Sequence, residues 1–142
     1  VHDRDAHQEC YNILKNENVK EAVFHCFSGD IIFAQQVLDA GWMISFTGNI
    51  TYANIHLDDV IRLVPLDRFM VETDCPYLPP HPHRGKRNSP LFLPLVVEKI
   101  AEIKGISPKE VAELSFANAY KFFRIPPDPV KASHHKASHK KG

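Results

Sequence analysis

The sequence predicts an α/β fold with a parallel sheet, amounting to about half of an eight-stranded (β/α) barrel. Short apolar runs alternate with amphipathic runs along residues 1–125, which is the pattern of strand–helix–strand units. Helix-capping residues stand where several of the amphipathic runs begin or end. Three complete strands and the end of a fourth can be counted, each leading into a helix, whereas a complete barrel typically needs about 250 residues.

The first part of the chain supplies the end of a strand and two complete strands. VHDR at residues 1–4 is predicted to end a strand, and residues 6–18 have the helical pattern that follows it. EAVFHCF at residues 21–27 is the next predicted strand. The helix after it is expected to begin at the cap Asp30 and to end at Gly41. WMISFTG at residues 42–48 is the second complete strand.

The second part supplies one more strand and two long helices. Residues 57–65 predict a short helix that its proline ends, and residues 67–74 predict the third complete strand. Helical patterns then cover residues 91–105 and 107–123. The last helix has Ser107 as its cap, Pro108 at its first position and Glu110 in place to complete a capping box.

Composition indicates a soluble, unsecreted protein. The chain has 17 basic and 17 acidic residues, so its net charge gives no indication of nucleic-acid or membrane binding. No apolar stretch approaches the roughly 18 residues that cross a bilayer, and no leader pattern opens the chain. Three widely spaced cysteines favour a reducing compartment, with the cytoplasm expected and the nucleus as the alternative. Cys26 and Cys75 are expected to be inert core thiols because strand side chains alternate.

Two segments differ in composition. Residues 1–125 are expected to form one partial hydrolase domain, carrying 13 basic and 16 acidic residues. Residues 126–142, PPDPVKASHHKASHKKG, contain four Lys and one Asp and almost no apolar side chains. This Lys/His-rich tail is therefore expected to be disordered.

Metal-ligating side chains recur at the predicted strand ends. His2, His25 and Asp74 each stand at the carboxyl end of a strand, where parallel α/β proteins gather their active groups. Glu72 and Asp74 are two positions apart, which places both carboxylates on one face of an extended chain. Two imidazoles and a carboxylate suit a divalent cation. Each residue alone is more often structural, and the prediction of a metal site rests on their concurrence.

The loop after the third strand is predicted to contact an anionic substrate. Residues 75–90 are rich in proline and carry basic residues, of which Arg84 is the expected phosphate contact. Loops after the last strands of barrels commonly hold phosphate. The alternative is a rigid, solvated surface loop. Arg4 is a weaker candidate for the same role, and His81 and His83 are weak candidate ligands.

Five motifs occur together in one order: HDRDAH at residues 2–7, FHCFSG at 24–29, ISFTGNIT at 44–51, ETDCPYL at 72–78 and HRGKRNSP at 83–90. With these motifs the chain resembles the TatD-type metal-dependent deoxyribonucleases, relatives of the amidohydrolase barrels, from Val1 to about Ile125. The resemblance implies the carboxyl-terminal portion of a TIM-like (β/α)8 barrel, from the end of strand five through strand eight and the terminal helices. A missing amino-terminal half, with further metal ligands, is expected in the complete protein.

The resemblance also implies a mechanism. His2, His25 and Asp74 would bind the metal centre, which would hold Mg, Zn or Mn, with two ions in the complete site. Asp74 would orient a water molecule or take its proton, and the attack would cleave a phosphodiester bond of DNA. Arg84, with Arg4 as the weaker candidate, would meet the phosphate charge.

Two alternatives stay open. The same ligands on the same kind of barrel can hydrolyse a small-molecule amide or lactone, since a fold and a metal do not fix a substrate. The chain can also be an inactive half-barrel remnant. Three strands and the end of a fourth would leave two sheet edges open, so the 142 residues alone are expected to have little nuclease activity and to expose apolar surface.

Overall fold

The computed structural model describes residues 1–126, which form a three-stranded parallel sheet and five α-helices. The elements, in chain order, are α1 (His7–Asn16), β1 (Val23–Phe24), α2 (Ile31–Asp39), β2 (Met43–Phe46), α3 (Asp58–Leu63), β3 (Phe69–Val71), α4 (Leu93–Lys104) and α5 (Pro108–Phe122). Short 3-10 turns cover Gly48–Thr51 and Pro90–Phe92. From residue 127 onward, the predicted tail lies outside the described residues.

The sheet confirms the predicted parallel order. β1 pairs with β2 and β2 pairs with β3, so that Ile44 lies opposite both Phe24 and Phe69. The strands are shorter than predicted. Val1 extends the sheet beyond β1, because its amino group donates to the carbonyl of Val23 at 2.7 Å and its own carbonyl accepts from the amide of His25 at 2.9 Å. Val1, the first residue of the predicted strand end, therefore lies alongside β1, as in a parallel ladder.

The core lies between the sheet and the helices. Its largest fully buried side chains include Trp42 and four phenylalanines, and they pack with aliphatic residues of α2, α3, α4 and α5. Burying each such side chain contributes about 1.5–3 kcal/mol. This one-sided packing fixes the strands from the helical side, and residues 1–126 do not close into a barrel.

The predicted helix signals are confirmed. The Asp30 carboxylate accepts a hydrogen bond from the amide of Phe33 at 2.8 Å at the start of α2. Ser107 and Glu110 form the expected capping box of α5, and Gly105 ends α4 with φ of 68°. Among residues 1–126, no helix combines the length and the apolar character that crossing a membrane requires.

The outer edge of β3 is not open, contrary to the prediction. The Ser115 hydroxyl accepts from the amide of Val71 at 2.9 Å, and the Asn118 side-chain amide donates to the carbonyl of Phe69 at 2.8 Å. A second donation from Asn118 reaches the carbonyl of Leu66 at 2.9 Å. Side chains of α5 therefore take the positions that a neighbouring strand would occupy. Sequence patterning missed this contact because the partners are more than 40 residues apart.

Candidate metal centre

His25 is held between two carboxylates just beyond the end of β1. Its Nδ1 lies 2.7 Å from Glu72 Oε2, and its Nε2 lies 3.8 Å from Asp74 Oδ1. An ionised carboxylate only accepts, so the pairing with Glu72 places the imidazole proton on Nδ1. Nε2 then carries a free lone pair directed to the side where Asp74 lies. This tautomer leaves Nε2 free to ligate a metal.

Glu72 fixes the whole strand-end arrangement. Besides His25, its carboxylate accepts from the amide of Cys26 at 2.8 Å and from the hydroxyl of Ser45 at 2.5 Å. It therefore joins residues after β1, on β2 and after β3. The sequence placed Glu72 beside Asp74 but missed this orienting role, because only the pairing of three strands reveals its partners.

Glu72 and Asp74 both lie beside the His25 ring, although not because they alternate along an extended strand. β3 ends at Val71, and Asp74 adopts a left-handed φ of 54°, so simple alternation along an extended strand does not apply. The two carboxylates instead approach the His25 ring from its two nitrogens. The predicted proximity of the Glu72 and Asp74 carboxylates is therefore found, but the extended backbone from which it was predicted is not.

His2 joins this group in one cavity. The rings of His2 and His25 are 5.6 Å apart between centroids. A cavity of about 260 Å³, named here the strand-end cavity, is lined by residues that include His2, Arg4, His25, Cys26, Asn49 and Asp74. The three predicted ligands thus line one cavity. Within residues 1–126, however, no three His, Cys, Asp or Glu side chains are already arranged closely enough to hold a metal ion.

The donors nevertheless fit a divalent cation in type. Two imidazoles and a carboxylate are nitrogen and oxygen ligands, and the Glu72 carboxylate behind His25 is the supporting contact that such ligands use. His2, His25 through Nε2, and Asp74 are therefore the residues that would hold the ion.

The predicted core location of two cysteines was wrong. Cys26 has φ of 48°, which turns its side chain into the strand-end cavity rather than toward the helices. Its Sγ lies 3.2 Å from Thr47 Oγ1 and accepts from the side-chain amide of Asn49 at 3.6 Å. Burial is the main cause that raises the pKa of the Cys26 thiol, which keeps it protonated at neutral pH. Cys75 is exposed.

The two candidate arginines are in different places. Arg4, the weaker candidate, lines the strand-end cavity. Arg84, the stronger candidate, lines a neighbouring cavity of about 640 Å³, named here the loop cavity, whose wall includes Thr51, Tyr52, His56, His81, Arg84 and Lys99. The structure therefore brings Arg4, but not Arg84, to the predicted metal ligands. His83 stacks on Phe92 at 4.0 Å between ring centroids and is a packing residue.

The loop cavity is built by docking residues 78–81 onto the turn after β2. The Tyr52 hydroxyl donates to the carbonyl of Pro79 at 2.8 Å, and the amide of His81 donates to Thr51 Oγ1 at 2.8 Å. Gly48 permits this approach, because a Cβ there would lie 2.3 Å from the carbonyl oxygen of Leu78. Burial is the main cause that raises the pKa of Tyr52, so the phenol remains neutral and a donor.

Comparison with known proteins identifies the family of this chain. Residues 1–124 match the family model described as TatD related DNase. The chain belongs to this family. It is 44% identical over 128 residues to the uncharacterized metal-dependent hydrolase YcfH of Escherichia coli K12, covering 88% of this chain and 48% of that protein. It is 36% identical over 134 residues to a protein of Erwinia billingiae named 3'-5' ssDNA/RNA exonuclease TatD, covering 89% and 51%.

The solved structures give the same fold. The crystal structure of YJJV, a TatD homolog from Escherichia coli K12, superposes with a TM-score of 0.81 at 30% identity, covering 88% of this chain and 49% of that one. The resemblance to a TatD family of metal-dependent hydrolases is confirmed at the family level. The chain spans about half the length of the curated relatives it matches. The assignment to the carboxyl-terminal strands and the missing amino-terminal half remain predictions that the matches do not support.

Proposed function

We propose that this chain contributes the strand-end cavity of a divalent-metal-dependent hydrolase that cleaves phosphodiester bonds in DNA. The observation that carries the proposal is the placement of His25 between Glu72 and Asp74, with His2 in the same cavity. The family description and the exonuclease name of one relative support a nucleic-acid substrate.

Each residue has a distinct part in the proposed reaction. When bound, the cation would lower the pKa of a water molecule and polarise the phosphate. His2, His25 and Asp74 would hold it. The Asp74 carboxylate would also orient the attacking water and accept its proton, since its Oδ1 lies 3.8 Å from His25 Nε2, the nitrogen that would hold the cation. Glu72 would keep the His25 proton on Nδ1 throughout.

Arg4 favours a phosphate over the alternative substrates. A guanidinium lines the strand-end cavity together with the predicted ligands, and it would oppose the charge that develops on a phosphodiester in the transition state. A neutral amide or lactone develops an oxyanion only during the reaction, whereas a phosphodiester is already anionic when it binds, so a fixed cation in the cavity favours the phosphodiester. Arg4 therefore replaces Arg84 as the proposed contact to the phosphate that reacts.

Metal binding to this chain tests the proposal directly. Titration of the chain with Mn²⁺, followed by the loss of the free-ion electron paramagnetic resonance signal, should show binding that His25→Ala abolishes. Lys109→Ala, which changes an exposed residue of α5, should leave the titration unchanged. A complete protein, carrying the predicted amino-terminal half as well as this chain, should cleave DNA only with a divalent cation. Activity that survives excess chelator would contradict the mechanism.

A further inference from the structure

The loop cavity adjoins the strand-end cavity across a single turn of chain. Asn49 lines the strand-end cavity, and Ile50, Thr51 and Tyr52 line the loop cavity. Leu78 lines the first cavity, and His81 lines the second. The same two segments therefore contribute to the walls of both cavities, which places the cavities next to each other along the chain.

A cationic, aromatic platform forms one wall of the loop cavity. The guanidinium carbon of Arg84 lies 4.2 Å from the centroid of the Tyr52 ring. The phenol is fixed by its hydrogen bond to Pro79, so the platform is held at both its ring and its hydroxyl. A planar guanidinium stacked on a ring leaves its other face and its N–H edge for a ligand.

The charges around the platform are unequally neutralised. Of the lining residues, Asp59 is paired with Arg62 at 2.8 Å and Lys99 is 3.4 Å from Glu102, whereas the Asp58 carboxylate forms no ion pair within residues 1–126. Among the ion pairs of residues 1–126, none involves Arg84. The free cation of this cavity therefore lies on the platform, where it would meet an anionic group beside a stacked ring.

The size of the cavity suits a nucleotide. Its volume of about 640 Å³ falls within the range of roughly 300–1,000 Å³ that small-molecule sites occupy. Ile50 and Ile55 add apolar surface to the wall. A base would stack on Arg84 while its phosphate contacts the guanidinium edge, which is how sequence-tolerant single-strand sites combine stacking and charge.

We propose that the loop cavity binds one nucleotide of a single-stranded nucleic acid, adjacent to the phosphodiester held in the strand-end cavity, through stacking on the Arg84–Tyr52 platform. This subsite rests on the proposed function for its substrate. It gives Arg84 a role in binding the polymer rather than in the chemistry of the phosphate that reacts.

Binding without metal isolates the subsite. The 142-residue chain is titrated into a fluorescein-labelled oligothymidylate in excess chelator, and anisotropy gives Kd. Arg84→Ala should raise Kd about tenfold, since stacking of one base is worth about 1–3 kcal/mol. Arg84→Lys, which keeps the charge but loses the planar face, should recover little of the affinity. Arg87→Ala is the matched control, because Arg87 carries the same charge in the same loop but lines a separate concavity.

Two further reagents identify stacking. Tyr52→Phe keeps the ring and removes only the bond to Pro79, so it should weaken binding less than Tyr52→Leu. An abasic oligonucleotide with the same number of phosphates should bind more weakly to the unmodified chain. Arg84→Ala should weaken its binding less than it weakens the binding of oligothymidylate, because only the phosphate contact is left to lose. Circular dichroism melting of each variant checks that its fold is retained.

The outcomes separate the subsite from the proposed function. Equal weakening by Arg84→Ala and Arg87→Ala would overturn the subsite in favour of a diffuse basic loop, and so would an abasic strand that binds as well as oligothymidylate. Absence of any oligonucleotide binding would also overturn it. If the Arg84 effect is found but Mn²⁺ does not bind the chain, the subsite stands and the metal-dependent function fails.

Discussion

The strand-end cavity and the loop cavity lie side by side but are held in different ways. The first is framed by backbone ladders, and one carboxylate, that of Glu72, ties residues from three strands together. The second is framed by a loop docked on a 3-10 turn through two hydrogen bonds and one glycine contact. The sheet therefore fixes the proposed reacting groups, whereas the proposed recognition groups depend on how the loop packs.

The largest effect is expected from a variant that removes a reacting group of the strand-end cavity and leaves its backbone unchanged. Asp74→Asn removes a ligand and the proposed proton acceptor, and should lower DNA cleavage by full-length protein about 10²- to 10⁴-fold. Asp67→Asn, which changes a mostly exposed carboxylate before β3, is the control. Cleavage rates of the two variants measured side by side decide the matter, and equal rates would remove Asp74 from the reaction.

A smaller effect should follow from loosening the frame of the same cavity. Glu72→Gln keeps the shape of the side chain but removes the charge that holds the His25 proton on Nδ1. Loss of such a supporting contact typically costs about 10- to 100-fold in metal affinity. Mn²⁺ titration of the chain measures it, with Glu98→Gln on α4 as the exposed control. An unchanged affinity would show that Glu72 does not orient His25.

The smallest of the three effects is expected from a change to the packing of the loop cavity. Gly48→Ala would bring a Cβ within 2.3 Å of the Leu78 carbonyl oxygen and so push residues 78–81 outward. Oligonucleotide affinity should fall several-fold, and urea unfolding should show a loss of about 1–3 kcal/mol in stability. Metal affinity should change less than in Glu72→Gln.

Gly85→Ala is the matched control for that experiment. Gly85 belongs to the same loop and has φ of 83°, but a Cβ there would meet nothing within 4 Å. It therefore carries the cost of left-handed backbone without the clash. If both glycine variants reduced oligonucleotide binding equally, contact at Gly48 would not be what shapes the loop cavity.

Local signals explain what the sequence could predict. The parallel order, the Asp30 cap and the Ser107 capping box follow from spacing within a few residues, and all three are confirmed. That His2, His25 and Asp74 line one cavity also agrees with the ends of neighbouring parallel strands meeting at one edge, but within residues 1–126 the three are not close enough together to hold a metal ion. These inferences need only the period of the pattern and the direction of the strands.

Backbone torsion and distant contacts explain what the sequence did not show. Cys26 points into the strand-end cavity because its φ is left-handed, and the neighbouring residues do not form a pattern that predicts this φ. The separation of Arg84 from Arg4 depends on how the loop docks against Gly48 and Thr51. The orienting role of Glu72 depends on its bonds to Cys26 and Ser45, at separations of 46 and 27 residues.

The closure of the β3 edge by α5 has a consequence for synthesis of the chain. Ser115 and Asn118 lie 44 and 49 residues after the backbone groups of Val71 and Phe69 that they satisfy. At the roughly 5–20 residues per second of translation, those groups wait about 2–10 s for their partners. During that interval the nascent sheet presents a bare edge to whatever other strands lie near the ribosome. Pausing of the ribosome before α5 would therefore lengthen the period in which the emerging chain needs a chaperone.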